Sequence, residues 1–290
     1  IGTGVGDTTT PSGLNHLAAY ADNFNINNTA KYVYGGDLYG NVWKFDLTNP
    51  AYKVSQLAEL KDASGRPQSI TARMELALID GNPIVYVGTG RYLGTDDLVD
   101  PATLGNQWAY QQSIYAIKDK GTEYGNFRLA NVEQSKIIVQ GPASRTTSLY
   151  CGDATNPACY SIDWATKDGW FVDLNPDNDS PGERVNLDLQ LVQGTLIVVS
   201  NVPNNNACTV GGDSWIYQFN YKGGTYVQSS ALGSVGQKFT GQITVGLVVV
   251  RLPSGVFKGI APGATGTKTP SALNIGGGGA ARRGASPGAS

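Results

Sequence analysis

Two short stretches of the chain set oxygen-bearing side chains at alternate positions, the spacing with which one loop wraps several ligands around a hard cation. In residues 22–31 (DNFNINNTAK), Asn23, Asn25 and Asn27 stand at positions 1, 3 and 5 and Lys31 at position 9. Neutral amides replace carboxylates there and a cation stands where an anion would close the loop, so most of the Coulomb attraction for calcium is missing. In residues 173–183 (DLNPDNDSPGE), Asp173, Asn175, Asp177, Asp179 and Glu183 supply the charge. Pro176 and Pro181 make a solvated hairpin tip the simplest reading, with a weak calcium loop as the alternative.

Catalytic chemistry has little to rest on. His16 is the single histidine, with no Gly-x-Ser-x-Gly elbow and no partnered cysteine, so it is read as structural or incidental. The stretch VGTGRYLG, with Gly88, Gly90 and Gly94, follows a strand pattern but lacks the Gly-x-Gly-x-x-Gly register and a following helix, which excludes a phosphate loop. Adjacent Asp96 and Asp97 point to a solvated turn rather than an acid and base pair. Cys151, Cys159 and Cys208 show no Cys-x-x-Cys spacing and no clustered histidine, against zinc. A local disulfide between Cys151 and Cys159 is the preferred reading, with three unpaired thiols as the alternative.

The elements that must position these residues are strands. Helical periodicity is nearly absent, and apolar residues alternate or run in short blocks cut by Gly, Asn, Asp and Pro. The chain repeats one pattern three times: YVYGGDLYGNVWKFD at Tyr32–Asp46, IVYVGTGRYLGTDD from Ile84 resuming as QSIYAIKD at Gln112, and TLIVVSNVPNNNAC from Thr195 resuming as GDSWIYQFN at Gly212. Each is a hairpin whose second strand carries Trp43, Tyr115 or Trp215 and closes on Asp46, Asp119 or Asn220, a residue that can accept hydrogen bonds from the next turn. Repeated hairpins of this type predict an all-β fold, a modified β-propeller with a partial or complete ring of four-stranded blades and loop insertions. The propeller is expected over residues 1–275 and a flexible Gly/Ala/Ser-rich tail over 276–290. The opening IGTGVG looks like the end of a strand. Ile at position 1, with Met74 the single methionine, reads as a processed chain or a piece of a longer one.

Composition narrows the partners. The 290 residues include 38 Gly, only 15% are charged, and the formal net charge is −2. With no basic field there is nothing to neutralise phosphates, which argues against nucleic acid. The longest apolar run, Ile243–Val250 (ITVGLVVV), is far short of the roughly 20 residues a transmembrane helix needs and reads as a buried strand. Few charges with abundant Asn, Thr, Ser, Gly and Tyr favour an oxidising, extracytoplasmic compartment.

The wording of the repeats adds a resemblance. GLNHLAAYADNFNINNTAKYVYGGDLYGNVWKFDL, QSITARMELALIDGNPIVYVGTGRYLGTDDL with QQSIYAIKD, DGWFVDLNPDNDSPGERV and CTVGGDSWIYQFN together resemble, over about Pro11–Gly224, the C-terminal β-propeller domain of the PilC/PilY family of type IV pilus biogenesis and tip-adhesin proteins of Gram-negative bacteria. The resemblance implies earlier blades upstream and a calcium loop of the form Asp-x-Asp-x-Asp-x-x-x-Asp before the GGDL hairpin. That loop falls on Asn23, Asn25, Asn27, the Thr29 backbone and Lys31, and all four side-chain positions depart from the pattern.

The implied function is non-enzymatic, with no cofactor beyond doubtful calcium. A pilus factor of this kind promotes pilus extension or counters retraction and supports surface attachment and twitching motility at the pilus tip or outer membrane. Its partners would be minor or major pilins and a host or abiotic surface receptor. Tyr92–Gln111 and Ser148–Asp163 are the insertions expected to present contact loops on one face. An extracytoplasmic lectin-like or scaffold propeller is the alternative. A quinone-dependent dehydrogenase propeller would need a cofactor site that the sequence does not display.

Overall fold

The computed structural model describes residues 2–23, 26–98, 111–204, 211–230, 233–266, 268–273 and 275. Asn25, Cys208, part of the 92–111 insertion and the 276–290 stretch lie outside the described residues. Among the described residues the helical elements are short 3-10 turns, and the rest of the regular structure is strand.

Four sheets follow one another along the chain. The first is an antiparallel meander of β1 (Ala18–Tyr20), β2 (Tyr32–Gly36), β3 (Asn41–Asp46) and β4 (Lys53–Glu59). The second contains β5 (Glu75–Ile79), β6 (Asn82–Gly88), β7 (Ser113–Lys118), β11 (Gly169–Asp173) and β8 (Val132–Gln134), in that spatial order, with β8 parallel to β11. The third runs β12 (Gln190–Val192), β13 (Thr195–Pro203), β14 (Gly212–Asn220), β15 (Ser234–Phe239), β10 (Ser144–Thr147) and β9 (Ile137–Gly141). The fourth is β16 (Val248–Arg251), β17 (Phe257–Pro262) and β18 (Lys268–Ala272).

The three sequence repeats are the β2–β3, β6–β7 and β13–β14 hairpins, the second and third strands of the first three sheets. Trp43, Tyr115 and Trp215 take equivalent places opposite Gly35, Val87 and Ser200. The closing residues act as the repeats suggest: Asp46 accepts from Thr48 N at 2.9 Å, Asp119 from Gly121 N at 2.9 Å and Asn220 from Lys222 N at 3.0 Å.

Because strand side chains alternate between faces, a strand buried on both faces reads as a continuous apolar run. In β6, Val85 and Val87 pack toward the first sheet while Ile84 and Tyr86 pack toward the third. In β13, Leu196 and Val198 face the second sheet while Ile197 and Val199 face the fourth. The sheets thus stack face to face in chain order, with a separate core between each neighbouring pair. The first strands β1 and β12 both adjoin β5 at one edge of the stack, the radial arrangement of propeller blades.

Several expectations are corrected. The sheets do not hold uniformly four strands, because the Ser/Thr/Gln-rich segment 132–147 donates β8 to the second sheet and the β9–β10 hairpin to the outer edge of the third. Ile243–Val250 is not one buried strand. Ile243 and Thr244 are buried, the strand itself begins at Val248, and Val245 and Val248 are exposed, because the three-stranded fourth sheet covers only one side of this segment. Residues 2–17 contain no strand, Gly4 and Gly6 taking positive φ instead.

Candidate functional site: the connection-bearing end of the sheets

Strand direction places the links between second and third strands of the first three sheets at one end, the distal end: the 37–40 turn, the 89–112 insertion and the 204–211 insertion. The 174–183 connection leaves β11 at this end too, since Asp173 pairs with Ser113.

The turn 37–40 is organised by one buried carboxylate. Asp37, fully buried, accepts from Tyr39 N and Asn41 N at 2.9 Å, Asn41 Nδ2 at 2.8 Å and Trp43 Nε1 at 2.9 Å. The GGDLYGNVW wording is therefore turn chemistry. Gly36 lets Ile70 approach, since a Cβ there would lie 2.3 Å from an Ile70 methyl.

The Gly88–Gly90 segment serves close packing as well. The chain at Arg184 and Val185 crosses it, Val185 N donates to Thr89 O at 2.9 Å, and a Cβ at Gly88 or Gly90 would lie 2.5 or 2.6 Å from Val185 atoms. The expectation of a solvated Asp96–Asp97 turn holds only for Asp96. The Asp97 carboxylate is 9% exposed, accepts from Leu93 N and Gly94 N, and pairs with Arg91 Nε at 2.8 Å. Arg184 NH1 donates to the Arg91 and Asp97 carbonyls and so fixes the root of the insertion to the segment that bridges Asn201 of β13.

The two insertions singled out from the sequence do not share a face. Residues 92–111 leave the distal end, whereas Ser148–Asp163 follows the opposite end of β10 and packs on the link after β14, through Tyr150 OH to Gly223 O (2.7 Å) and Thr225 Oγ1 to Tyr160 O (3.1 Å). Within it Cys151 and Cys159 form a disulfide with a Cα–Cα distance of 4.8 Å. Antiparallel β10–β15 pairing decides this, by turning the chain away from the distal end.

At the axis edge of the distal end lies a cleft of about 490 Å³, lined among others by His16, Arg73, Glu75, Asp188, Gln190 and Leu247. Asp188 ties its walls together, accepting Arg73 N at 2.8 Å and lying 3.4 Å from His16 Nδ1. Gln190 Nε2 donates to Leu247 O at 2.7 Å. His16, 63% exposed, has no nucleophile among these partners.

The first calcium candidate is closed by its own chain. Ile26 N and Asn27 N donate to Asn23 O, Thr29 N donates to Asn27 Oδ1 at 2.9 Å, and Lys31 Nζ forms an ion pair with Asp22. The Asp22 hydrogen bond raises the Lys31 pKa. The second candidate is divided. Asp173 pairs with Arg128, whose guanidinium lies over the Phe171 ring at 4.4 Å. Asp179 and Glu183 pair with Arg145, whose side chain is fully buried and lies 3.7 Å from the Trp215 ring centre. Burial opposes the Arg145 charge, but Tyr217 and Glu183 hold its pKa above the ordinary value. Asp177 lies in neither cluster and takes a left-handed φ of 53°. Among the described residues no group of three or more His, Cys, Asp and Glu side chains is placed to hold a metal.

Sequence reasoning missed Arg128, Arg145 and Arg184. The available signal was scarcity: where only 15% of residues are charged, an arginine inside a strand of Ser and Thr (SRTT) marks a buried partner.

No known family profile matches the chain. It is 29% identical over 238 residues to a type IV pilus biogenesis factor PilY1 homolog of Xylella fastidiosa, covering 78% of this chain and 18% of that protein. It is 27% identical over 258 residues to the type IV pilus biogenesis factor PilY1 of Pseudomonas aeruginosa, covering 76% of this chain and 21% of that protein. The chain thus spans about a fifth of the length of these curated relatives. Its fold matches the crystal structure of the Pseudomonas aeruginosa PilY1 C-terminal domain with a TM-score of 0.68 at 21% identity, over 95% of this chain and 63% of that one.

Proposed function

From a chain that is a homologue of the PilY1 proteins and has the fold of the PilY1 C-terminal domain, we propose a non-enzymatic, extracytoplasmic part of a type IV pilus biogenesis factor. The observation that carries the reading is the identity to relatives named as pilus biogenesis factors, maintained across most of the chain. Two structural features support it. Stacked sheets with separate cores make a rigid frame, and the distal end presents on it the 37–40 turn and the 174–183 connection, loops held by that frame and suited to contacting a protein surface. The Cys151–Cys159 disulfide fits an oxidising compartment, and no helix of the described residues is long and apolar enough to cross a membrane.

In this reading the distal end faces pilins, and the protein favours pilus extension or opposes retraction, with attachment at the pilus tip as its further role. Surface piliation after deletion of the segment, with and without the retraction motor, tests it. Loss of pili that return when retraction is also disabled is the expected result. Normal piliation in both backgrounds removes the pilus assignment.

A further inference from the structure

The end of the third sheet opposite the distal connections carries a cleft that the pilus reading leaves unused. Its volume is about 510 Å³, and it lies between the disulfide-closed insertion and the link that follows β14. Exposed Pro157 and Ala158 and the turn at Asp163 stand on one side, and Asn220, Lys222 and Gln228 on the other. Main-chain bonds fix the two sides together. Ile162 N and Trp164 Nε1 both donate to Lys222 O, at 3.2 and 2.9 Å, while Tyr150 N donates to Cys159 O at 3.0 Å beside the Cys151–Cys159 bridge. The Lys222 backbone is thereby held in place at the edge of the cleft.

The third hairpin departs from the other two at this spot. Asp46 and Asp119 are followed two positions on by Thr48 and Gly121, whereas the equivalent Asn220 is followed by Lys222. The turn itself is kept, since Oδ1 of each closing residue accepts from the amide two positions on. The exchange therefore leaves the backbone alone and makes both positions more positive. In the second copy a lysine of the neighbouring sheet, Lys44, neutralises Asp119. In the third copy the lysine is present without a carboxylate: among the described residues no acidic side chain pairs with Lys222, whose Nζ lies 5.8 Å from the centre of the Tyr221 ring.

A second donor adjoins it. Asn220 is only 5% exposed, and with its Oδ1 engaged by Lys222 N at 3.0 Å its Nδ2 has no hydrogen-bond partner among the described residues. A polar group so buried is expected to meet a partner. The Asp163 carboxylate does not supply one, because it is taken up by its own turn, accepting from Ala165 N at 3.0 Å and Thr166 Oγ1 at 2.8 Å. An ammonium beside an amide donor selects a carboxylate, which accepts several hydrogen bonds and carries the compensating charge. Tyr160, the aromatic side chain of the described lining, is 3% exposed and offers no open ring face on which a sugar could stack. Pro157 and Ala158 give instead a short apolar rim that suits main chain and aliphatic stems.

We infer that the cleft between residues 157–163 and 220–228 is a docking site for a carboxylate of a protein partner, an Asp or Glu side chain or a chain end, received by Lys222 and Asn220. The site lies at the end opposite the surface assigned to pilins and does not depend on that assignment. The disulfide holds the 157–163 side in place before the ligand arrives, which lowers the ordering cost of binding.

Amide NMR of the whole chain, titrated with millimolar probes, tests the site. Acetyl-Ala-Glu-Ala-amide and acetyl-Ala-Ala-Ala with a free chain end carry the carboxylate, acetyl-Ala-Gln-Ala-amide and acetyl-Ala-Ala-Ala-amide lack it, and sodium glucuronate represents an acidic sugar. At least one carboxylate peptide should shift the Asn220 side-chain NH₂ and the Lys222 amide saturably, the neutral peptides should not, and added salt should weaken the binding. Which carboxylate peptide binds more tightly identifies side chain or chain end as the source. Lys222→Gln should weaken binding about 10-fold or more. Asn220→Asp, which restores the residue type of the other two hairpins, should abolish it by setting a carboxylate against that of the ligand. Lys222→Gln removes no hydrogen bond of the fold and decides the matter by itself if Asn220→Asp melts early. No saturable shift with either carboxylate peptide, equal shifts from the neutral ones, or an affinity that Lys222→Gln leaves unchanged overturns the site. Tighter binding of glucuronate than of either peptide overturns the protein partner.

Discussion

Replacing Asp37 by asparagine changes one atom of the side chain and inverts part of its hydrogen bonding. The carboxylate is fully buried and receives four donors, Oδ1 taking the amides of Tyr39 and Asn41 and Oδ2 taking Asn41 Nδ2 and Trp43 Nε1. An asparagine can keep one pair through its carbonyl oxygen, but its NH₂ then confronts the other two donors. Asn41 and Trp43 are themselves 7% and 5% exposed, so water does not readily replace the lost acceptor. Two unsatisfied buried donors at about 1–3 kcal/mol each, partly offset by no longer burying a charge, give a loss of about 2–4 kcal/mol for Asp37→Asn. Asp37→Ala, which strands all four donors, is expected at about 3–5 kcal/mol. Urea unfolding followed by tryptophan fluorescence, with exposed Asp96→Asn as the control, measures both. An Asp37→Asn variant within about 1 kcal/mol of wild type would refute the argument that the turn needs an acceptor-only side chain.

Alkaline unfolding should be abrupt. Burial is the leading cause that raises the pKa of Tyr34, Tyr86, Tyr115 and Tyr217, so their stabilisation is intact below the unfolded value near 10 and is lost as pH rises toward the folded values. Each retained proton costs about 1.4 kcal/mol per pH unit above 10, about 6 for the four, so tyrosinate absorbance of these residues should appear together with loss of β-sheet circular dichroism; reversible ionisation near pH 10 with the fold intact would contradict it. Gly36→Ala drives a Cβ to within 2.3–2.9 Å of three Ile70 carbons at the first core and is expected to cost about 1–3 kcal/mol, with Gly65→Ala unsuitable as control because of its positive φ and Gly152→Ala suitable; equal melting temperatures would show that Ile70 moves aside freely. Cys151→Ser with Cys159→Ser frees a short loop and is expected to lower stability by about 2–3 kcal/mol in chemical unfolding, an unchanged midpoint counting against it.

The hairpins were legible because strand chemistry is local. Period-two burial, aromatic residues on the third strand and an Asp or Asn at its end all lie within about fifteen residues in the first copy, and those positions act in the structure as their types suggest. The segment 132–147 was not legible, since its short strands lack the apolar alternation that marks a buried face and are held by partners far along the chain, as Arg145 opposite Gly236 shows. The same distance hid the Arg145 cluster. Its carboxylates lie 34 and 38 residues away and its hydroxyl partner Tyr217 lies 72 away, and no spacing rule connects them.

By itself the sequence determined the all-β class, the three hairpins and the kinship with pilus biogenesis factors, because turn chemistry, strand alternation and motif wording are properties of neighbouring residues. Only the tertiary structure decided which sheet receives the 132–147 strands, which end bears each insertion, and which cation sits among Asp179, Ser180 and Glu183. Those outcomes depend on strand pairing and on charges brought together across sheets, where burial makes a single arginine decisive.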